Sequence, residues 1–320
     1  NDQGEESIND LGVFNDRVRK ISRKLLFSDP MTIEWFAVSQ DIERLVVLSN
    51  KERNENFEQD EEKKAVPQIG KTSSGTLWDQ TGEVSDNTIR ILVEEAKMNV
   101  LLRLLSSSMT AVTGSDREGF IHQAAEDFNQ EVKIIYDRVD QFEINVGVLL
   151  QRCLNHVESL QLCDLPVLVE LICDAMKITL EAPDKREKFE LRFNTKALYY
   201  FNSLFRRVDA LEETTNLLHW TQENKLIPLI LETLVLKNEW YTPDALKSAA
   251  EGLAYFCDSE TFKAKRDDFL TLEDKERMIK FRDEIMQPII KAEPTFKKVI
   301  RPLLDTVERV RRDVKKAKNQ

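Results

Sequence analysis

Apolar residues recur at alternating spacings of four and three over long stretches of this chain. The longest stretch, 117–162, contains no proline, and Gly147 is its only glycine after Gly119. Its apolar positions are Ile121, Ala125, Phe128, Val132, Ile135, Val139, Phe142, Val146, Leu149, Cys153, His156 and Leu160. An average period of about 3.5 residues is typical of helices that pack along a left-handed coiled-coil seam. The pattern therefore predicts a single helix over 117–162.

The same spacing appears near both termini. The positions are Leu11, Phe14, Val18, Ile21 and Leu25, then Met31, Trp35, Val38, Ile42 and Leu45, and finally Phe296, Ile300, Leu303, Val307, Val310 and Val314. Between them, 185–224 lacks glycine and proline and has a wider stripe: Phe189, Phe193, Ala197, Tyr200, Leu204, Val208, Leu211, Thr215 and Leu218, flanked by Leu198, Phe201 and Phe205. The width predicts a central helix that contacts more than one neighbour.

Capping residues and prolines predict where helices begin and break. Helix starts are expected near 30, 165, 243 and 272, on the evidence of Asp29-Pro30, Asp164-Leu165-Pro166, Thr242-Pro243 and the Thr271–Asp274 capping box. Three prolines, Pro288, Pro294 and Pro302, should break or kink the last long segment, because each lacks a backbone donor and clashes with the preceding turn. The apolar seam continues beyond them.

The stretch 51–85 has a different character. It contains the charged run 58–64 followed by one proline and three glycines, with almost no apolar periodicity. This composition predicts a flexible acidic and polar loop or linker. It separates an N-terminal helical hairpin, 1–50, from a main bundle, 86–320, and we expect the two to pack as one extended domain. Trp78 within it is either an anchor onto the domain or a recognition element.

These patterns predict an all-α protein. Only nine glycines and nine prolines occur in 320 residues, and helix formers are abundant. We expect a bundle of long, mostly antiparallel helices with heptad-like packing seams. The alternative is an α-solenoid of the armadillo or HEAT type, which the lack of a visible repeat of 30 to 50 residues makes less favourable.

The sequence offers no signature of catalysis or metal binding. It has no glycine-rich phosphate loop, no His-Glu-x-x-His pair and no Gly-x-Ser-x-Gly elbow. Cys153, His156, Cys163 and Cys173 have zinc-binding chemistry but unsuitable spacing, and we interpret them as packing residues. We therefore predict a protein that is not an enzyme and has no catalytic residue, metal or cofactor.

Four cysteines, no Asn-x-Ser/Thr site and no run of about 18 apolar residues favour the cytoplasm. The net charge of −11 argues against nucleic-acid binding. Against this acidic background, 297–318 contains nine basic and three acidic residues, a local charge of +6. The candidate binding face is Lys297, Lys298, Arg301, Arg309, Arg311, Arg312, Lys315 and Lys316. A secondary basic cluster is Arg17, Arg19, Lys20, Arg23 and Lys24.

A basic helical face has three interpretations: it binds an acidic protein, it lies on an anionic membrane surface, or it balances the acidic body. We predict a scaffold or adaptor that binds another protein through a helical surface. The alternatives are a peripheral factor that tethers a membrane, organelle or cell cortex through its basic faces, and a regulatory α-solenoid. Trp240 and Tyr241, between two predicted helices, are candidate contacts or plugs at the end of the bundle.

Overall fold

A computed structural model describes residues 11–26, 39–50, 87–96, 116–127, 129–154, 164–181, 191–211, 214–263 and 265–318. Helical residues make up 89% of this part of the chain, and it contains no strand. The all-α class is therefore confirmed. The chain divides into two compact units, Asn1–Leu162 and Cys163–Gln320. The predicted linker 51–85 lies outside the described residues, and packing as one extended domain stays a prediction.

Unit 1, Asn1–Leu162, contributes five described helices. They are α1 (Leu11–Leu26), α2 (39–50), α3 (Asn87–Ala96), α4 (Asp116–Asp127) and α5 (Val132–Leu154). Helix α3 packs against α1 and α5, and α4 packs against α5. The predicted seam positions Val18, Ile21, Ile42 and Leu45 are buried, which matches the expected apolar faces of α1 and α2.

The prediction of one helix over 117–162 is wrong, because a turn at 129–131 separates α4 from α5. Asn129 adopts a left-handed φ of 47°, a conformation that asparagine tolerates better than most residues. The Gln130 N–H donates to the Ala125 carbonyl at 2.9 Å, closing the end of α4. The seam nevertheless continues on α5, where Ile135, Phe142, Val146, Leu149 and Cys153 are all buried.

Unit 2, Cys163–Gln320, contains ten described α-helices. They are α6 (Leu165–Glu181), α7 (Leu191–Phe205), α8 (Thr214–Glu223), α9 (Leu226–Leu236), α10 (Pro243–Asp258), α11 (Glu260–Lys263), α12 (Leu272–Lys280), α13 (Gln287–Ala292), α14 (Phe296–Val299) and α15 (Arg301–Lys318). Helix α10 packs between α7 and α15, while α6 contacts α7 and α9. This places α10 at the centre of the unit.

Three predicted helix starts are confirmed by their caps. The Asp164 carboxylate accepts from the Val167 N–H at 3.4 Å, and the Thr242 hydroxyl accepts from the Ala245 N–H at 3.2 Å. At the start of α12, the Thr271 hydroxyl and the Asp274 carboxylate form a reciprocal capping box with each other's backbone N–H. The start expected near 30 lies outside the described residues.

The prediction of a continuous helix over 185–224 is also wrong. Helix α7 ends at Phe205, and a 3₁₀ turn, Val208–Ala210, follows it. The Asp209 carboxylate in this turn accepts from the Ser259 hydroxyl at 2.5 Å and from the Thr261 hydroxyl at 3.0 Å. Burial acts to raise the pKa of Asp209, but these hydrogen bonds outweigh it and hold the pKa below its usual value. A partner some 50 residues away in the chain thus stabilises the interruption.

The core of unit 2 confirms the wide apolar stripe of α7. Residues of the stripe and its flank are buried: Ala197, Leu198, Tyr200, Phe201, Leu204, Phe205, Val208 and Leu211. Gly252 on α10 lets the two helices approach closely, because a Cβ there would lie 2.5 Å from Cε1 of Phe201. Next to this crossing, Phe205 and Phe256 each place their ring centroid 5.3 Å from that of Phe262.

The prolines interrupt the C-terminal segment as predicted. A π-helical turn, Phe281–Met286, precedes Pro288 in α13, Pro294 lies in the turn before α14, and Pro302 occupies the first turn of α15. The seam nevertheless resumes on the inner side. All six of its residues, Phe296, Ile300, Leu303, Val307, Val310 and Val314, are buried. Helix α15 rests with this side on α10 and α12.

Candidate functional site

The predicted basic face lies on α14 and α15, opposite the buried seam. Six of its eight side chains belong to exposed residues: Lys297, Lys298, Arg301, Arg312, Lys315 and Lys316. Arg309 and Arg311 are half-buried. Because α15 packs its apolar side on α10 and α12, its basic side faces away from the core of unit 2. The structure thus brings together on one side of this segment the residues that the sequence singled out.

Ion pairs occupy part of this face. Arg311 approaches Asp283 on the π-helical turn at 2.6 Å, and Arg301 lies 3.6 Å from Asp305 one turn along α15. Lys318, just beyond the predicted face, pairs with Glu276 on α12 at 2.7 Å. Arg311 and Lys318 connect α15 to neighbouring elements, whereas Arg301 balances a carboxylate of the same helix. They are therefore weaker candidates for binding than the prediction implied.

Arg309 also has an interaction within the protein. The other five cations form two groups with no carboxylate within ion-pair distance among the described residues. We call Lys297 and Lys298 the leading lysines, and Arg312, Lys315 and Lys316 the trailing cluster. The Arg312 Nε donates only to the Glu308 carbonyl, at 3.4 Å. At a rise of 1.5 Å per residue, α15 places Lys315 about 20 Å from Arg301, which adjoins the leading lysines.

Two carboxylates separate these groups along the outer side of α15. Arg301, Asp305, Glu308, Arg312 and Lys315 are all exposed and follow one another at spacings of three or four, so they share one face. No apolar residue belongs to that series. Beside the leading lysines, however, Val299 is 49% exposed. The face therefore alternates basic, acidic and basic, with one apolar side chain at its beginning.

The secondary basic cluster lies on α1 in unit 1. Arg17, Lys20 and Arg23 are exposed, while Arg19 is half-buried and pairs with Asp16 at 3.3 Å. Arg17 and Arg23 also have interactions within the protein. The side chain of Lys24 lies outside the described part. The cluster is less available to a partner than its composition indicated.

The aromatic candidates behave as packing residues where they are described. Tyr241 is 6% exposed, its hydroxyl lies 4.0 Å from the Met176 sulfur, and burial raises its pKa. Trp240 is half-buried in the 3₁₀ turn Asn238–Trp240, with the Lys237 ammonium 4.7 Å from the ring centroid. Trp78 falls outside the described residues. Tyr241 thus packs inside unit 2, and Trp240 keeps a partly open face.

The three cysteines that the structure describes lie in the core. Cys153, Cys173 and Cys257 are buried free thiols, and burial raises the pKa of Cys173 to about 12 and that of Cys257 to about 11. No group of three metal-ligating side chains occurs within the described ranges. His156 and Cys163 lie outside those ranges. His219 is exposed and approaches Glu223 on α8 at 3.4 Å.

Sequence reasoning missed two buried arginines. Arg152 on α5 donates to Ser49 at 2.6 Å and to Asn50 at 2.5 Å, both on α2. Arg266, in the 3₁₀ turn Arg266–Phe269, donates to Thr306 on α15 at 2.9 Å, and its buried Nε has no acceptor among the described residues. Neither arginine is distinguished in the sequence from the many exposed ones, because burial depends on partners far along the chain.

The chain matches no protein-family model, no curated protein and no solved structure. None of the helices in the described ranges is long and apolar enough to cross a lipid bilayer. The basic face must therefore be interpreted from its own geometry and charge.

Proposed function

We propose that this chain is a non-enzymatic scaffold or adaptor, built as a helical bundle, that binds a partner protein through the basic face of α14 and α15. One observation supports the proposal above all. Five exposed cations, Lys297, Lys298, Arg312, Lys315 and Lys316, have no internal carboxylate partner within the described ranges, in a chain of net charge −11.

The trailing cluster and the leading lysines differ in how much they interact with a helix dipole. Cations at the end of a helix interact favourably with its dipole, which accounts for the trailing cluster at the C-terminal end of α15. Lys297 and Lys298 lie in the last turn of α14, a helix of four residues, and are exposed. Because so short a helix has only a small dipole, these lysines gain little from it, and an external acidic partner is the role we propose for them.

The inner side of α15 has a different role. Its apolar seam is buried, and Arg311 and Lys318 already join the helix to the π-helical turn and to α12. Removing the unpaired outer charges should therefore leave the fold intact. This separation makes the proposal testable by substitution.

Affinity purification of the intact chain from its native cells, followed by mass spectrometry, tests the proposal. We expect a reproducible partner protein that is lost when Lys297, Lys298, Arg312, Lys315 and Lys316 are replaced by glutamate. The matched control replaces exposed Lys133 and Lys225, which lie on other surfaces, by glutamate. Circular dichroism must show equal helicity for all forms. Recovery of no partner by the unaltered chain would count against an adaptor.

A peripheral membrane or tethering role is the second candidate. The exposed Val299 beside Lys297 and Lys298 supports it, since an apolar side chain among cations suits the surface of an anionic bilayer. The test is sedimentation with vesicles of phosphatidylserine and phosphatidylcholine at low salt. Binding that weakens with salt would support the membrane role, and absence of binding at low salt would exclude it.

A further inference from the structure

We infer that the partner of this face is a protein surface with two acidic clusters and a neutral or basic segment between them, separated by roughly the rise along α15 from Arg301 to Lys315, about 20 Å. The inference rests on the proposed function and specifies the chemistry of the partner. It follows from the order of charges along α14 and α15. The leading lysines and the trailing cluster are the two cationic ends, and the outer carboxylates of α15 lie between them.

The two carboxylates favour a protein over a bilayer. Asp305 is 73% exposed and Glu308 is 52% exposed in their side chains, and both lie on the same outer side as Arg312. A bilayer presents negative charge uniformly, so it would be attracted to the two ends of this face but would gain little from the middle, where arginines already balance the carboxylates. A protein can place its acidic groups only where the cations are, and opposite charges arranged in this way also set the binding register.

The outer side of α15 is also unsuited to insertion into lipid. Its apolar residues Leu303, Val307, Val310 and Val314 are buried against the protein, and its outer series is entirely charged. The single exposed Val299 adds one apolar contact next to the leading lysines. That arrangement fits the edge of a protein interface, where a few apolar contacts accompany charged pairs.

Ion pairs within the chain explain why the cations at the two ends of the face, rather than those in its middle, are available to a partner. Arg311 is shared between Asp283 and Glu308, and Arg282 also reaches Glu308 at 2.8 Å. Glu308 is therefore already held by two arginines of this chain, and Asp305 faces Arg301. Binding through the middle would need these pairs to be exchanged, whereas binding at the ends would not.

Carbodiimide crosslinking in native extract tests the inference, because it joins a lysine amine to a carboxylate without a spacer. We expect Lys297 or Lys298 and Lys315 or Lys316 to become linked to aspartate or glutamate residues of one and the same partner. The internal pairs Lys247–Glu293, at 2.6 Å, and Lys318–Glu276, at 2.7 Å, should also be linked and serve as positive controls.

Charge reversal at one end at a time then measures how much each end contributes to binding. The double variants Lys297→Glu/Lys298→Glu and Lys315→Glu/Lys316→Glu should each weaken binding of the captured partner about tenfold or more, mainly at low salt. The matched double variant Lys133→Glu/Lys225→Glu should leave binding unchanged. Equal helicity by circular dichroism establishes that each variant is folded.

The outcomes separate the inference from the proposed function. If a partner is captured but both end variants bind it normally, or only one end crosslinks, the two-cluster geometry is wrong and the adaptor role survives. If the unaltered chain captures no partner, the function and the inference both fail. If the chain instead sediments with phosphatidylserine vesicles and both end variants abolish this, the face binds membrane and the inference is overturned.

Discussion

Two segments of the molecule share the same spacing of apolar residues, and in both the helix is interrupted while the spacing continues. In unit 1, the helix predicted from 117 onward is interrupted at Asn129, and two helices replace one. In unit 2, three prolines divide the chain before and at the start of α15, yet the seam from Phe296 to Val314 is buried throughout. Periodicity therefore reports which side chains face a neighbour rather than how far a helix continues.

The two seams also differ in the buried arginine beside each of them. Arg152 on α5 donates to two side chains of α2, whereas Arg266 donates to Thr306 on α15, and its Nε lacks an acceptor in the part of the chain that the structure describes. A buried cation with several hydrogen bonds costs less to keep than one with few. The same residue type thus has opposite expected effects on the stability of the two regions.

The largest effect should come from a charge on either seam. Phe142 on α5 and Val310 on α15 are 1% and 0% exposed, so Phe142→Asp and Val310→Asp each bury a carboxylate without a partner. We expect each to lower the free energy of unfolding by about 3–5 kcal/mol, as measured by urea denaturation. Lys133→Asp, at an exposed position of α5, should be nearly neutral.

Tolerance of Phe142→Asp alone would show that the interrupted seam of unit 1 is not a packed core. Val139, an equivalent seam position in the sequence, has a side chain outside the described part, and Val139→Asp is expected to act like Phe142→Asp.

The two arginines should respond differently to replacement by methionine, which has similar length and no charge. Arg152→Met leaves acceptors on Ser49 and Asn50 without their donor, and we expect a loss of about 1–3 kcal/mol. Arg266→Met removes a poorly satisfied buried cation and should be neutral or stabilising. Thermal melting of both variants measures the contrast, and equal destabilisation would show that Arg266 is as well satisfied as Arg152.

A smaller effect is expected at the capping box of α12. Thr271→Ala removes the hydroxyl that accepts from the Asp274 N–H and should cost about 1 kcal/mol. The cap starts the helix on which α15 rests, so its loss also tests how far the C-terminal seam depends on α12. Urea denaturation with Thr271→Ser as the matched control measures it, and that variant should retain most of the stability.

The smallest effect should come from the residue that interrupts unit 1. Asn129→Gly keeps the left-handed conformation available and should change stability by no more than about 0.5 kcal/mol, whereas Asn129→Val should destabilise by about 1–2 kcal/mol. Hydrogen exchange across α4 and α5 would show whether the turn persists. If Asn129→Val were stabilising, the chain would prefer the continuous helix that the spacing predicts.

Local sequence accounts for most of the helix starts and for the apolar faces. Asp164, Thr242 and Thr271 act through backbone groups within three residues, so their caps could be predicted without knowledge of the fold. The buried seam of α15 and the wide stripe of α7 were predictable for the same reason, because the side on which a residue lies follows from its spacing along a helix.

The sequence predicts which basic residues form the candidate site, but not which of their side chains are available to a partner. The positions of the eight basic residues are plain in the sequence, yet Arg311 pairs with Asp283, 28 residues away in the chain, and Lys318 pairs with Glu276. Which cations stay unpaired depends on how α12 and the π-helical turn lie against α15. No spacing rule contains that information.

By itself, the sequence determined the all-α class, the faces of the helices, several of their starts and the excess of positive charge at 297–318. The tertiary structure alone decided that α7 ends before Asp209, which Ser259 and Thr261 hold in a turn, and that Arg152 and Arg266 are buried. It also decided that the leading lysines and trailing cluster have no ion-pair partner among the residues that the structure describes. The physical reason is the distance along the chain over which each effect acts. Periodicity and capping act within a few residues of the chain, whereas burial and ion pairing depend on partners that only folding brings close.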